Sequence, residues 1–307
     1  MAYDIDNKLV IAVASSALFD LSQSHKVFLE QGVEAYRKYQ EDNIDNHLGK
    51  GAAFPFIERL LKLNDAFEER PIEVVLLSRN NPESGLRLFR TIAHYGLDIS
   101  RAAFFSGSSP YKYLPTFNAS LFLSADGDDV AAACKEGFAA GQILCPPLSD
   151  GDDGDIELRL AFDFDGVIAG DSSEQIYQSG GIDAFVEHEK ERSATPMEAG
   201  LLGDLFKKIS YFQKLEARKQ FKDPNYKCLL KTAIVTARNA PSHERVVNTL
   251  KSWGVDVNEV FFLGGIEKAR VLEVMRPHMF FDDQIGHLEN LKSVPAVHIP
   301  FGIANKH

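Results

Sequence analysis

Apolar positions along the chain gather into short unbroken runs separated by longer mixed stretches. Leu9–Ala14 (LVIAVA), the run around Val74 to Leu77 and Leu158–Phe162 (LRLAF) have the length and apolar continuity of strands buried on both faces. The pattern predicts strands over 8–14, 73–78, 102–106 and 120–124, with a helical insert over about 22–66 and a helix over 83–95. A further helix is expected between the third and fourth strands. The same order returns as strands over 157–163, 231–236, 259–263 and 278–282, an insert over about 172–215 and a helix over 242–253. Val294 to Pro300 adds a last strand. Ser242, with Pro241 before it, is expected to cap its helix. Strands alternating with helices imply an α/β fold with a doubly wound parallel sheet.

The alternation is a repeat. At a shift of 149, Leu9–Ala14 lies on Leu158–Asp163, Gly32–Tyr36 on Gly181–Phe185, and Gly51 on Gly200. At a shift of 158, Val74–Gly107 lies on Thr232–Gly265 without a gap, and eight positions are identical. Two copies of one α/β unit follow from a match this long. The change of shift predicts a loop of about nine extra residues between Ile209 and Thr232. Residues 1–147 form the first unit, 148–156 an acidic, Pro- and Gly-rich linker, and 157–307 the second unit, with a helical cap over about 171–221.

Composition narrows the class. At 307 residues, 45% hydrophobic and 25% charged, the chain reads as globular. No apolar run is long enough to span a membrane, and the N-terminus lacks the basic and apolar regions of a signal peptide. Cys134, Cys145 and Cys228 are odd in number and scattered, as expected of reduced thiols in a cytoplasmic protein. A net charge of −11 argues against a nucleic-acid surface, yet leaves room for a small anion in a focused pocket.

The candidate chemistry sits at predicted strand ends of the second unit. Asp163 and Asp165 follow the first strand, and Gly166 lets the chain turn there. Thr236, Ala237 and Arg238 end the second, Lys268 follows the third, and Asp282 and Asp283 close the fourth. In a parallel sheet all of these reach one edge. Two close carboxylates repel unless a cation or a shared proton lies between them, which suggests Mg2+. The set is the one phosphoryl transfer requires. Asp163 is a nucleophile, Asp165 a proton donor and acceptor, and Thr236, Ala237 and Lys268 hold phosphate oxygens. The first unit has Ala14, Ser16, Ser78, Ser124 and Ala125 at the matching positions, so it is expected to be catalytically dead. It then serves as a scaffold, a pocket wall or a regulatory site. Asp171, Ser172, Glu174 and Phe185 are candidate base or ribose contacts. Arg238 reads either as an anion contact or as an exposed helix-start residue. His188, His278 and His287 read as packing or surface residues.

The pattern DFDGV, a strand-ending Thr, a Lys and a DD pair resembles the four motifs of haloacid dehalogenase-like (HAD) phosphohydrolases. Stretches 17–40, 106–130, 185–191, 235–238 and 276–287 make nearly the whole chain resemble the cytosolic 5′-nucleotidase type I family. The resemblance implies a HAD-like sheet with a helical cap, the first unit degenerate and the second catalytic. It implies Mg2+-dependent hydrolysis of nucleoside 5′-monophosphates in the cytoplasm by a homo-oligomer, with an allosteric nucleotide in some members. It also implies Mg2+ ligation by the Asp163 side chain, the Asp165 carbonyl and Asp283, supported by Asp282. The alternatives are a phosphatase or phosphomutase for sugar phosphates and a non-catalytic nucleotide sensor.

Overall fold

A computed structural model describes residues 3–144 and 155–305. The expected linker lies almost wholly outside these residues, as does Cys145.

The first half contributes strands β1 (Leu9–Ala14), β2 (Ile72–Ser78), β3 (Arg101–Phe104), β4 (Leu121–Ser124) and β5 (Ala140–Leu144). Its helices are α1 (Ser22–Asp42), α2 (Phe54–Lys62), α3 (Pro82–His94) and α4 (Gly127–Lys135). The second half contributes β6 (Leu158–Phe162), β7 (Leu230–Thr236), β8 (Glu259–Phe262), β9 (Met279–Asp282) and β10 (Ala296–His298). Its helices are α5 (Ser172–Glu191), α6 (Gly203–Lys222), α7 (His243–Trp253) and α8 (Lys268–Met275).

These ten strands form one sheet in the order β8-β7-β6-β9-β10-β5-β4-β1-β2-β3, and Phe19–Asp20 pairs separately with Gly49–Lys50. Each half is parallel within itself, and the two orders mirror each other. The halves meet where β5 pairs antiparallel with β10, Ala296 opposite Leu144 and His298 opposite Gln142. Joining the two edges satisfies backbone groups that each half alone would leave unpaired. It also turns the carboxyl ends of the two halves to opposite edges of the sheet.

The halves share a core. Buried Ile11, Leu76 and Phe54 belong to the same apolar cluster as Phe162, Phe206 and Phe281. Helix α2 packs on β6 and α6 on β1, so each half covers a strand of the other. Phe67 meets Phe212 edge-on at 5.2 Å, and Lys208 Nζ donates to Ser120 Oγ at 2.8 Å. The repeat extends to backbone irregularities. Gly32 in α1 and Gly181 in α5 both break their helices with positive φ, +82° and +74°.

Several expectations are corrected. The extra residues of the second half extend α6 unbroken to Lys222 instead of forming a loop, because no Gly or Pro interrupts 204–222. The connection from β3 to β4 is two 3-10 turns, at Tyr111–Tyr113 and Pro115–Phe117, where Pro110 and Pro115 remove the amides a helix would use. Strand β5 was not expected from the sequence. Gly141 weakens its pattern, yet the space there is what the Val297 side chain occupies. Ser242 does not cap α7, since its hydroxyl donates to the Asn239 carbonyl at 2.7 Å. Buried Cys134 donates to the Ala140 carbonyl, and burial pushes its thiol up to about 12. Among the described residues no helix is long and apolar enough to cross a membrane.

Candidate active site

Strand β6 ends at Phe162, and the amide of the next residue, Asp163, donates to the Phe281 carbonyl of β9 at 2.8 Å. Strand β9 ends at Asp282, followed by Asp283. Because β6 and β9 are paired neighbours, their ends bring three carboxylates together. One oxygen from each of Asp163, Asp282 and Asp283 lies within 4.8 Å of the others, and all three residues are buried. Lys268, the first residue of α8, is buried among them. Its Nζ is 3.0 Å from Asp163 Oδ2 and 2.7 Å from Asp282 Oδ2.

One ammonium does not balance three buried carboxylates. Burial pushes Asp163 up to about 7; Lys268 opposes this, while Asp282 and Asp165 add to it. Asp283 rises to about 9, first through burial and then through Asp163 and Asp282. Burial would also raise Asp282, but Lys268 and His287 outweigh it and hold this group below the usual carboxylate range. His287 Nδ1 lies 3.2 Å from both Asp282 oxygens. Lys268 stays above its usual range despite burial, because Asp163 and Asp282 stabilise its charge.

Asp283 Oδ1 is buried without a hydrogen-bond partner among the described residues. An orphaned carboxylate oxygen beside two more carboxylates fits a hard divalent cation, which prefers oxygen ligands. Gly166 makes the cluster possible. Its φ is +74°, and an added Cβ would lie 2.5 Å from Asp283 Oδ2. Gly166→Ala is therefore expected to destabilise by roughly 1–3 kcal/mol and to weaken cation binding. Thermal unfolding with and without Mg2+ checks both, and an unchanged midpoint would contradict the close approach.

The other candidate residues divide. Thr236 is buried at the end of β7, where its hydroxyl accepts from the Arg238 amide at 3.3 Å. Ala237 is exposed beside it. Asp171 accepts from the Ile303 amide at 2.8 Å, so the structure gives it a partner within the chain. Ser172 is exposed, and Glu174 accepts from Gln178. Phe185 lies with its ring centroid 5.3 Å from the Arg238 guanidinium. Arg238 is not an exposed helix-start residue. It is 4% exposed and forks onto Asp165, Nε to Oδ2 and Nη2 to Oδ1, each at 2.7 Å. His278 packs as expected, with Nδ1 accepting from the Arg159 amide. Glu189, Arg245 and His287 were missed as neighbours of this edge. For the first two the repeat held a signal, since Gln40 and Arg87 occupy the matching positions.

A carboxylate-lined edge of a mostly parallel sheet, with a helical insert after the first strand, makes the second half an α/β unit consistent with a haloacid dehalogenase-like Rossmann-type fold. The sequence profile of the 5′-nucleotidase family matches residues 1–306. The chain belongs to the 5′-nucleotidase family. Cytosolic 5′-nucleotidase 1B from Homo sapiens is 33% identical over 298 residues, covering 95% of this chain and 48% of that protein. The chain thus spans about half the length of this curated relative. No solved structure gives a significant match.

Proposed function

We propose that residues 157–307 hydrolyse nucleoside 5′-monophosphates to a nucleoside and phosphate, with residues 1–147 as the non-catalytic partner unit. The observation that carries this reading is the buried Asp163, Asp282, Asp283 and Lys268 cluster in a chain of the 5′-nucleotidase family. An Asp163 oxygen attacks phosphorus, the bond from phosphorus to the ester oxygen breaks, and Asp165 gives that oxygen a proton. A water then attacks the aspartyl-phosphate, Asp165 takes its proton, and Asp163 leaves as a carboxylate. Lys268 neutralises phosphate charge, and Thr236 with the Ala237 backbone orients the phosphate oxygens. The side chains of Asp163 and Asp283 and the Asp165 carbonyl would hold Mg2+, which when bound would supply charge neutralisation on the phosphate. Asp283 is favoured over Asp282 as its ligand. Asp282 is already engaged by Lys268, His287 and the Gln284 amide, whereas Asp283 Oδ1 has no partner among the described residues.

The test is phosphate release from a panel of nucleoside 5′-monophosphates and hexose phosphates, with Mg2+ and with EDTA. Metal-dependent release from nucleotides but not hexose phosphates is expected. The reverse ranking would move the assignment to a sugar phosphatase, and no release from any ester would favour a nucleotide sensor.

Metal affinity is expected to depend on pH. Asp163 and Asp283 lie above their unfolded value of 3.8, so the metal-free folded protein holds protons that the unfolded chain has released. Their contribution to stability is greatest below that value and is lost as pH rises through about 7 and about 9. Mg2+ displaces those protons, so its affinity should rise by up to about tenfold per pH unit per proton. Titration calorimetry in buffers of different ionisation enthalpy checks this; affinity constant with pH, and no proton release, would contradict it.

The same proposal assigns an allosteric nucleotide to the first half. There a cavity of about 980 Å3 opens at the carboxyl edge, lined by Phe19, Phe28, Tyr36, His25 and Arg79. Equilibrium dialysis of nucleotide with Asp163→Asn, comparing Phe28→Ala, tests it. A cytoplasmic location follows from the name of the human relative, and a homo-oligomer from the family resemblance; light scattering tests the latter.

A further inference from the structure

Asp165 is tied into a buried chain of charges. Arg238, which grips both of its oxygens, turns Nη1 to Glu189 of α5 and to the Ser242 carbonyl. Glu189 is fully buried and is held in turn by Ser173 Oγ and Arg245 Nη1, each at 2.8 Å. Burial would raise the Glu189 carboxyl, but Arg238, Ser173 and Arg245 hold it below its usual range. Charge-assisted contacts therefore run without a break from the insert to Asp165. The fork takes two of roughly four lone-pair sites on the Asp165 carboxylate, leaving the others to meet an ester oxygen.

The first half is an internal control. Arg87 stands at the place of Arg245, Gln40 at Glu189, Asn80 at Arg238 and Ser16 at Asp165. The underlying tether is retained. Arg87 Nε donates to the Asn46 carbonyl at 2.8 Å, as Arg245 Nε does to Thr195 at 3.0 Å. Arg87 Nη1 reaches Gln40 at 3.0 Å, as Arg245 Nη1 reaches Glu189. Thr91 bonds back to the Arg87 carbonyl at 2.9 Å, as Thr249 does to Arg245 at 2.7 Å. What differs is the set facing the edge, where each charged group of the second half has a neutral one opposite. Seating the insert does not require that set, because the first half seats its insert without it. The charged fork is found where an aspartate occupies position 165 and not where Ser16 replaces it.

We infer that Arg238, seated by Glu189, is a positioning residue that aims the Asp165 carboxylate for proton transfer. The step then depends on how the insert sits on the sheet. The inference rests on the reading of Asp165 as the acid and base of the proposed hydrolysis.

The test compares two esters with the full chain and Mg2+. A nucleoside 5′-monophosphate needs a proton on its leaving oxygen, whereas 4-nitrophenyl phosphate loses its leaving group without one. The variants are Arg238→Met, Arg238→Lys and Glu189→Gln, the last reproducing what the first half already carries at Gln40. On the nucleotide, kcat should fall on the order of 10²-fold in Arg238→Met and about tenfold in Glu189→Gln. KM and the first-turnover release of nitrophenolate should stay within about threefold, and Arg238→Lys should recover part of the rate. Unchanged kcat in Arg238→Met and Glu189→Gln overturns the inference. So does a raised KM at full kcat, which makes Arg238 a substrate contact, and so does an equal first-turnover loss on both esters. A wild type inactive on both esters overturns the proposed function and this inference together. A wild type active on the nucleotide, with Asp165→Asn inactive, upholds the reading of Asp165, so a negative result for Arg238 then counts against Arg238 alone.

Discussion

Asp163→Asn is expected to abolish metal-dependent phosphate release, by on the order of 10⁴-fold or more, while leaving the metal-free protein as stable as the wild type or more so. The amide cannot act as the nucleophile, yet it has the carboxylate's shape and keeps an oxygen for the Phe164 amide, which donates to Asp163 Oδ1 at 2.7 Å. What it removes is a charge that burial and two neighbouring carboxylates disfavour. The wild type loses stability as pH rises from the unfolded value of 3.8 to about 7, because over that range the unfolded chain has released a proton that folded Asp163 still holds. The variant lacks that loss, so its advantage should grow from pH 5 to pH 8. Paired assays of phosphate release and thermal unfolding at the two pH values check both halves of this expectation. Activity within tenfold of wild type would remove Asp163 as the nucleophile. A midpoint that drops at pH 8 would instead overturn the electrostatic account of the cluster.

Lys268→Met should have the opposite effect on stability. The ammonium is the group that contacts both Asp163 and Asp282, and it is 5% exposed. Its removal leaves buried carboxylates without their cation, a change that costs about 3–5 kcal/mol. The cost applies where those carboxylates are ionised, so urea unfolding should show most of it at pH 8 and less at pH 5. Added Mg2+ should restore more stability to the variant than to the wild type. Phosphate release should fall by roughly 10²–10³-fold, since a preorganised charge on the phosphate is lost. Equal destabilisation at both pH values would mean that Lys268 contributes mainly through its packed stem and not through its charge.

The two residues were legible in the sequence for the same reason. Asp163 directly follows an apolar run, and Lys268 opens the helix after another, so strand ends announce themselves locally. Asp282 and Asp283 were legible in the same way. Glu189 was not, because within EHEKE it reads as one more acid on a solvated helix; only its burial against Arg238 and Arg245 distinguishes it. Arg238 stood beside a candidate phosphate residue, and its position alone was compatible with exposure. Strand β5 was hidden by Gly141 and by the Pro-rich segment after it.

The chain's order of residues by itself determined the duplication, the alternation of strand and helix, which polar side chains stand at each strand end, and the family. These features are written in local spacing, and local spacing survives in a linear text. The tertiary structure decided that β5 and β10 join antiparallel, which sends the two carboxyl edges to opposite sides of one sheet. It also decided that Asp165 lies in the grip of an arginine anchored to the insert. Edge pairing and the burial of a charge are set by which surfaces meet, and a residue's own neighbours in sequence carry no record of that.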